Sequence, residues 1–353
     1  VEKKIRVGII GAGWWAAHTH APALKATGDV EIVAACRRSP GPLKEFADLV
    51  GVAQTFTSHE EMLDKAAMDA VIVCSPHAMH YGHVKAALER GLPVLTDKPL
   101  SIRVEEGEEL IALAAAKGVP LAVFFGHCYD AAHRYVGNAI RTGKLGRLLD
   151  VSQTGYANPD ALGFFGNAEF KPNPEEFPIL PTQFRADPAL GGGGYLQDVG
   201  NHLLSGMLIG TGLRVAEVSA LMDDPVRDLR AVLAFRFTNG ALGTLTVFGD
   251  LRPPTDNYFG TGRFAYTGDL GALWRDNGSA HLRFQRWRED AVDIGAEELP
   301  TPTSPDENFI RTLQGRAELI APASEAIECV RAAAAAYESA RTGCKVVVRP
   351  IAK

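Results

Sequence analysis

No stretch of this sequence approaches the roughly 18 consecutive apolar residues that a transmembrane helix requires, so no membrane span or membrane partner is expected. There is no Cys-x-x-Cys pair either. The five cysteines, Cys36, Cys74, Cys128, Cys329 and Cys344, are odd in number and scattered. That distribution argues against a disulfide framework or a zinc-type ligand set and fits reduced, mostly buried thiols. A long basic run is also missing, and the formal net charge is −6. Nucleic acid is not expected as a partner, since phosphate binding needs a clustered Lys/Arg footprint. The charged stretch Val1–Val7 leads into a short apolar run that ends at Gly11 without a signal-peptide cleavage pattern, and a cytoplasmic location is expected. No internal repeat is present. The neighbouring His77, His80 and His83 lack a clear ligand set, so no metal is expected.

What is present is ordinary globular composition, 46% hydrophobic and 22% charged, in 353 residues. One hydrophobic core stops growing at about 250–300 residues, which implies two domains. Residues 1–124 alternate strand and helix signals. Apolar runs at 5–10, 30–36, 55–56, 70–74, 93–96 and 121–125 read as buried strands. Helical stretches at 18–26, 42–50, 80–90 and 104–117 lie between them, and Ser58 with Glu61 matches a capping box that opens one more helix. Such alternation implies βαβ units and a parallel sheet.

From residue 125 the pattern changes. A helix at 129–141 is followed by a Pro- and Gly-dense segment between Tyr156 and Gly194, expected as long loops. Strand signals follow at 215–221, 231–237, 241–249, 263–267 and 282–287. Asn239-Gly240 between two of them is a hairpin signal. Consecutive strands with short turns imply an antiparallel sheet, before a last helix at 325–341 and a strand at 345–348. The fold class is therefore α/β: an N-terminal Rossmann domain with a parallel sheet, and a C-terminal α/β domain, 125–353, with a large, mainly antiparallel sheet for substrate binding and oligomerisation.

Gly11-Ala12-Gly13-Trp14-Trp15-Ala16 follows the first strand and precedes a helix. In this Gly-x-Gly-x-x-Ala turn Gly11 permits the tight bend, Gly13 lets the backbone approach a pyrophosphate, and Ala16 allows close helix–strand packing. Helix N-terminal amides then face the phosphates. NAD-binding domains carry an acid at the end of the second strand. Here that place holds Arg37-Arg38-Ser39, and guanidinium groups can grip a 2′-phosphate. NADP is expected as cofactor, with NAD as the alternative.

Three further segments complete a resemblance. They are Ser75-Pro76-His77-Ala78-Met79-His80, Val94-Leu95-Thr96-Asp97-Lys98-Pro99-Leu100, and Gly191–Gly194 followed by Tyr195-Leu196-Gln197-Asp198-Val199-Gly200-Asn201-His202. With the glycine turn, the chain resembles the glucose–fructose oxidoreductase / inositol dehydrogenase / MocA family (Gfo/Idh/MocA) over nearly its whole length. The resemblance implies hydride transfer between a nicotinamide and a secondary alcohol or ketone of a sugar, sugar derivative or cyclitol. It also implies a cofactor crevice that includes Ser75, Pro76, His77, His80, Asp97 and Lys98. Lys98 is assigned as polariser of the reacting oxygen, Asp198 as orienter and His202 as general acid/base, with Lys98 and His202 free to exchange the proton-transfer role.

Several positions depart from the family pattern. Asp97 replaces a Glu, Ser205 stands where an Asp often follows the His, and His127-Cys128 stands where a basic residue is common. Trp14 and Trp15 are bulky for a glycine turn; they either stack on the cofactor, cover the site or simply pack. His127, Tyr156, Gln183 and Arg185 are candidate substrate contacts alongside Lys98, Asp198 and His202. A homodimer or homotetramer is expected through the exposed face of the antiparallel sheet. Two other readings share these residues: a cofactor-recycling glycosidase or epimerase, and a dinucleotide-binding regulator without catalysis.

Overall fold

The structure, a computed structural model, describes residues 4–156, 179–250, 261–276, 279 and 281–348. Most of the Pro- and Gly-dense segment after Tyr156 lies outside the described residues. The chain forms two compact units. Among the described residues the first holds 4–124, 179–192 and 303–327, and the second holds the remainder. Residues 179–192 and 303–327, read from the sequence as part of 125–353, group with the first unit.

The first unit is built on six strands: β1 (Ile5–Ile10), β2 (Val30–Cys36), β3 (Gln54–Phe56), β4 (Ala70–Val73), β5 (Val94–Asp97) and β6 (Leu121–Phe124). They form one sheet in the order β3-β2-β1-β4-β5-β6, and every pairing is parallel. Val7, Ile9, Ile72 and Leu95 are fully buried, as strands covered by helices on both faces require. The covering helices include α1 (Ala21–Ala26), α2 (Pro40–Val50), α3 (His59–Lys65), α4 (His80–Glu89) and α5 (Val104–Lys117). Ser58 caps α3 by accepting from the Glu61 amide at 3.2 Å. The expected capping box is only half formed, because the Glu61 carboxylate instead accepts from Lys65 one turn on. The helix expected from His18 starts earlier: a π-helical turn, Ala16–His20, leads into α1.

The second unit carries β7 (Leu148–Tyr156), β8 (Val215–Met222), β9 (Arg230–Phe237), β10 (Leu242–Phe248), β11 (Thr261–Gly268), β12 (Gly271–Arg275), β13 (Leu282–Arg286), β14 (Val292–Ile294) and β15 (Val346–Val347). Their order is β14-β13-β12-β11-β7-β10-β9-β8-β15, and only the β7–β10 pairing is parallel. Asn239-Gly240 closes the β9–β10 hairpin, with Gly240 at a φ of 88°. Along β9, Ala231, Leu233, Phe235 and Phe237 are buried while Val232 is exposed, the period of two that a one-sided sheet demands. The helix Asn201–Leu208 packs on the covered face. A Cβ at Gly155 of β7 would lie 2.7 Å from the Leu203 side chain, so the glycine is what lets helix and strand approach.

In the first unit one buried charge ties three distant stretches together. His20 is fully buried, with Nδ1 2.8 Å from Asp306 and Nε2 3.3 Å from Asp97. Both ring nitrogens face carboxylates, so the imidazolium donates on both sides. Burial opposes that charge, but Asp306 and then Asp97 outweigh it and hold the group at about 10, against 6.5 for a free imidazole. A raised folded value means the native state keeps a proton that the unfolded chain releases. The stabilisation is complete below pH about 6.5 and disappears as pH rises through about 10. Urea unfolding across that window is expected to show wild-type stability falling relative to a His20→Gln variant. Parallel pH dependences for the two would show that His20 is not charged in the native state.

Candidate functional site

The sequence motifs of the first unit converge on one edge of its sheet. In a parallel sheet all carboxyl ends lie on the same side, and the Rossmann order reverses between β1 and β4, where such folds bind ligands. The glycine turn follows β1, Arg37 follows β2, Ser75 lies two residues past the end of β4, and Lys98 follows β5.

Gly11 and Gly13 serve different ends. Gly11 has a φ of 95°, and a Cβ there would sit 2.5 Å from the backbone of Cys74 and Ser75. The fold itself forbids any other residue. Among the described residues, a Cβ at Gly13 would meet no atom beyond its chain neighbours closer than 3.7 Å. Its glycine is therefore not demanded by the fold, and it leaves a bare backbone where a phosphate group would lie. Ala16 is fully buried against the core, as expected for the close helix contact. These residues fit a dinucleotide pyrophosphate.

Of the basic segment, only Arg37 turns toward the glycine loop, where its Nη1 donates to the Ala12 carbonyl at 3.2 Å. Arg38 and Ser39 are exposed. The two tryptophans pack at 5.6 Å between ring centroids, and Trp15 Nε1 donates to Asp97 at 3.1 Å. Trp15 is thus a strut between the glycine turn and the end of β5. Asp97 receives Trp15 and His20 on the same oxygen.

The Ser75 segment is held by histidines. His80 is fully buried and bridges two backbone carbonyls, Pro99 at 2.7 Å and Ser75 at 2.8 Å. It joins the loop after β4 to the loop after β5. His83 Nδ1 lies 2.8 Å from the Ser75 hydroxyl, and burial, then the charges of His59 and His80, push this imidazole down to about 4. His77 Nδ1 donates to the Gly191 carbonyl at 2.8 Å. Lys98 is 8% exposed and the Lys98–Pro99 peptide is cis. His20, Cys74 and Asp97 bring donor atoms within 4.8 Å of one another. Both His20 nitrogens already face carboxylates and the Cys74 thiol already donates to backbone carbonyls, so these contacts account for the group.

Asp198 and His202 belong to the second unit. Four residues apart, they would share one face of a regular helix. The structure instead opens with a π turn, Leu196–Gly200, before the helix Asn201–Leu208. Asp198 is 3% exposed. The start of this segment is anchored by two residues that sequence reasoning missed. Asp228 accepts from the Leu196 amide at 2.8 Å, and the Tyr337 hydroxyl accepts from Gly194 and Gln197 while donating to Asp228 at 2.6 Å. A Cβ at Gly194 would lie 2.2 Å from the Asp228 carbonyl oxygen, which explains one member of the glycine run. His202 Nδ1 accepts the Gly126 backbone N–H at 2.8 Å.

His127 lies beside His202, with ring centroids 6.4 Å apart. Burial, then His133, push its imidazole down to about 3. The residue standing where relatives often carry a basic group is therefore neutral at physiological pH. Gln153, which the sequence reading did not single out, is 3% exposed and lies 3.5 Å from His127 Nδ1. Of the other candidate contacts, Tyr156 is in the second unit and stacks on Phe248 at 5.9 Å. Gln183 and Arg185 are in the first unit, where Gln183 is exposed and the Arg185 guanidinium lies 4.5 Å from the Phe184 ring centre.

Two family models match this chain. One, described as an oxidoreductase family with an NAD-binding Rossmann fold, covers residues 5–125, and the other, the GFO/IDH/MocA C-terminal domain, covers 133–273. The chain is 27% identical to the D-glucoside 3-dehydrogenase of Escherichia coli over 97% of both proteins. It is 28% identical to the dTDP-3,4-didehydro-2,6-dideoxy-alpha-D-glucose 3-reductase of Actinomadura kijaniata, covering 76% of this chain and 74% of that one. Among solved structures, an inositol dehydrogenase homolog from Azotobacter vinelandii, complexed with NAD+, superimposes with a TM-score of 0.80 at 19% identity over 98% of both chains. Among the described residues no helix is long and apolar enough to cross a membrane. With both of its parts matched, the fold shared end to end and the phosphate-binding turn in place, the chain belongs to the GFO/IDH/MocA family of NAD(P)-dependent oxidoreductases.

Proposed function

We propose that this chain is a cytoplasmic, NADP-dependent oxidoreductase that transfers a hydride between the nicotinamide and a secondary alcohol or ketone of a sugar, sugar derivative or cyclitol. The observation that carries the reading is the glycine turn, where Gly11 is required by the fold and Gly13 is not. Bound there, the dinucleotide supplies the hydride acceptor or donor, and Gly13, Ala12 and the first amides of the following helix hold its phosphates. In this reading Lys98 polarises the reacting oxygen, Asp198 orients a substrate hydroxyl, and His202 is the general acid/base, with Lys98 and His202 free to exchange the proton-transfer role. Two relatives are named for chemistry at sugar carbon 3, so glucosides and 3-keto sugars head the substrate panel. The preference for NADP rests on Arg37, a guanidinium beside the glycine turn where NAD-specific domains place an acid.

We also propose a homo-oligomer. Leu221 is 77% exposed and Leu242 51% exposed on the open face of the large sheet, Leu221 in register beside the exposed Val232.

Four outcomes test these proposals. Absorbance of NADPH is expected to change with a substrate from the panel, whereas binding without turnover on any of them favours cofactor recycling or a regulatory role. Arg37→Ala is expected to raise KM for NADP by about 10–100-fold with little effect on NAD, as loss of hydrogen bonds to a charged group predicts. Equal Michaelis constants of the wild type for the two dinucleotides would end the preference. Lys98→Ala is expected to lower kcat by about 10²–10⁴, and unchanged turnover would remove Lys98 from the chemistry. Sedimentation is expected to give a dimer or tetramer that Leu221→Glu weakens, and a monomeric wild type would contradict the assembly.

A further inference from the structure

We propose that Tyr337 and Asp228 are positioning residues for the reaction. Between them they hold the first four backbone N–H groups of the segment that carries Asp198 and His202, and so fix the π turn on which Asp198 lies. This assignment rests on the oxidoreductase reading above and concerns the second unit alone.

Four consecutive amides converge on two residues. The Gly194 and Gln197 N–H groups donate to the Tyr337 hydroxyl at 3.0 and 3.2 Å. The Leu196 N–H donates to the Asp228 carboxylate at 2.8 Å, and the Tyr195 N–H donates to the Asp228 backbone carbonyl at 2.6 Å. The Tyr337 hydroxyl closes the set by donating to the Asp228 carboxylate at 2.6 Å. A phenol has one hydrogen to give, and here it gives it while accepting twice. Burial, then Asp228, push this phenol well above its ordinary value, so it keeps that hydrogen. Asp228 itself is fully buried.

A buried helix start needs acceptors for its amides, but it does not need distant ones. A Ser, Thr, Asp or Asn at the cap supplies an acceptor from the segment itself. Tyr195, at the cap of the π turn, makes no side-chain cap bond, and Gly200, at the cap of the helix, has no side chain to make one. The acceptors used instead lie 32 and 140 residues further along the chain. A local cap would leave the segment able to shift as a body. The distant pair ties it to the residue before β9 and to the last long helix. That helix is in turn registered on β8, where Ser339 accepts the Ala220 N–H at 3.0 Å.

The other end of the segment is fixed independently. Leu203 packs against Gly155 of β7, the Tyr266 hydroxyl donates to the Gly206 carbonyl at 3.1 Å, and His202 Nδ1 accepts from Gly126. Leu196–Gly200 spans the interval between these two fixed ends as a π turn. Gly200 makes room within it, since a Cβ there would lie 2.8 Å from the Leu196 side chain. Asp198 sits in the middle of the span, and its N–H donates to the Gly194 carbonyl at 3.1 Å. Gly194 is also the residue whose own N–H meets Tyr337, so two hydrogen bonds link the phenol to the Asp198 backbone. Loss of the phenol hydroxyl releases the start of the segment. The span can then tighten toward an α turn, which changes the direction of the Asp198 side chain.

Tyr337→Phe removes the hydroxyl and keeps the ring. In the full chain, without substrate or dinucleotide, amide hydrogen exchange is expected to quicken about tenfold at Gly194, Gln197 and Asp198 relative to Leu233 of β9, as loss of an acceptor by buried amides predicts. Unchanged relative protection at Asp198 overturns the proposal. The second arm is kinetic, with Ser339→Ala as control, because that variant takes a hydrogen bond from the same helix without touching the segment. Tyr337→Phe is expected to lower kcat by about 10–100-fold, the cost of a small misplacement at the reacting centre. KM for the dinucleotide is expected to stay as in the wild type, since the residues that hold it belong to the first unit. Ser339→Ala is expected to lose comparable thermal stability and keep the wild-type kcat. Equal kcat in the two variants overturns the proposal and leaves Tyr337 a structural anchor. Asp228→Asn, which turns one acceptor oxygen into a donor, carries both arms if Tyr337→Phe fails to fold. Failure of the oxidoreductase reading would show separately, as absence of turnover by the wild type, and leaves the exchange measurement intact.

Discussion

The close approach of Gly11 to the backbone between Cys74 and Ser75 is the contact on which the first unit is arranged. The turn after β1 can lie over the end of β4 only because no Cβ intervenes. Once it does, the helix that follows starts at the sheet edge, its first amides face outward, and Trp15 reaches Asp97 at the end of β5. The loops after β1, β4 and β5 are then linked in turn, through Trp15 and Asp97 and through His80 between the Ser75 and Pro99 carbonyls. Backbone geometry at one glycine thus sets the positions of residues almost ninety positions apart in sequence.

The second unit solves a related problem by different means. The helix that carries Asp198 and His202 starts in a buried place, where free amides are costly. Asp228, just before β9, and Tyr337, from the last long helix, supply the missing acceptors. The glycines of the run before it are spacers that admit these groups: Gly194 leaves room for Asp228, and a Cβ at Gly193 would lie 2.5 Å from the Tyr337 hydroxyl.

Much of this was legible in the sequence, because the signals were local. The six parallel strands were marked by apolar runs, the hairpin by Asn239-Gly240, and the phosphate-binding turn by glycines in a strand–turn–helix context. What was not legible depends on partners far apart in the chain. His20 looks like any helical histidine until Asp306 is brought to it by the return of residues 303–327 to the first unit. β7 was missed because its polar alternation, with Asp150, Ser152 and Gln153, reads as loop, yet it sits between β11 and β10 near the middle of the large sheet. Nothing in the residue type of Gly126 suggests that its amide donates to His202. The basic segment was legible only in part, since three residues were nominated and only Arg37 turns toward the glycine loop.

Two of the helices that carry candidate functional groups begin with a π turn, Ala16–His20 and Leu196–Gly200. Such a turn closes its hydrogen bonds one residue further along than an α turn, and so accommodates an inserted residue within an otherwise regular helix. Every side chain beyond it is rotated by about 100° from where an uninterrupted α-helix of the same origin would put it. The direction in which His20 and His202 point is therefore set by the number of residues before them as much as by what those residues are. Chain length in these two short segments is itself a determinant of side-chain direction. A deletion of one residue there would leave the motif's letters in place and turn its chemistry to the wrong side.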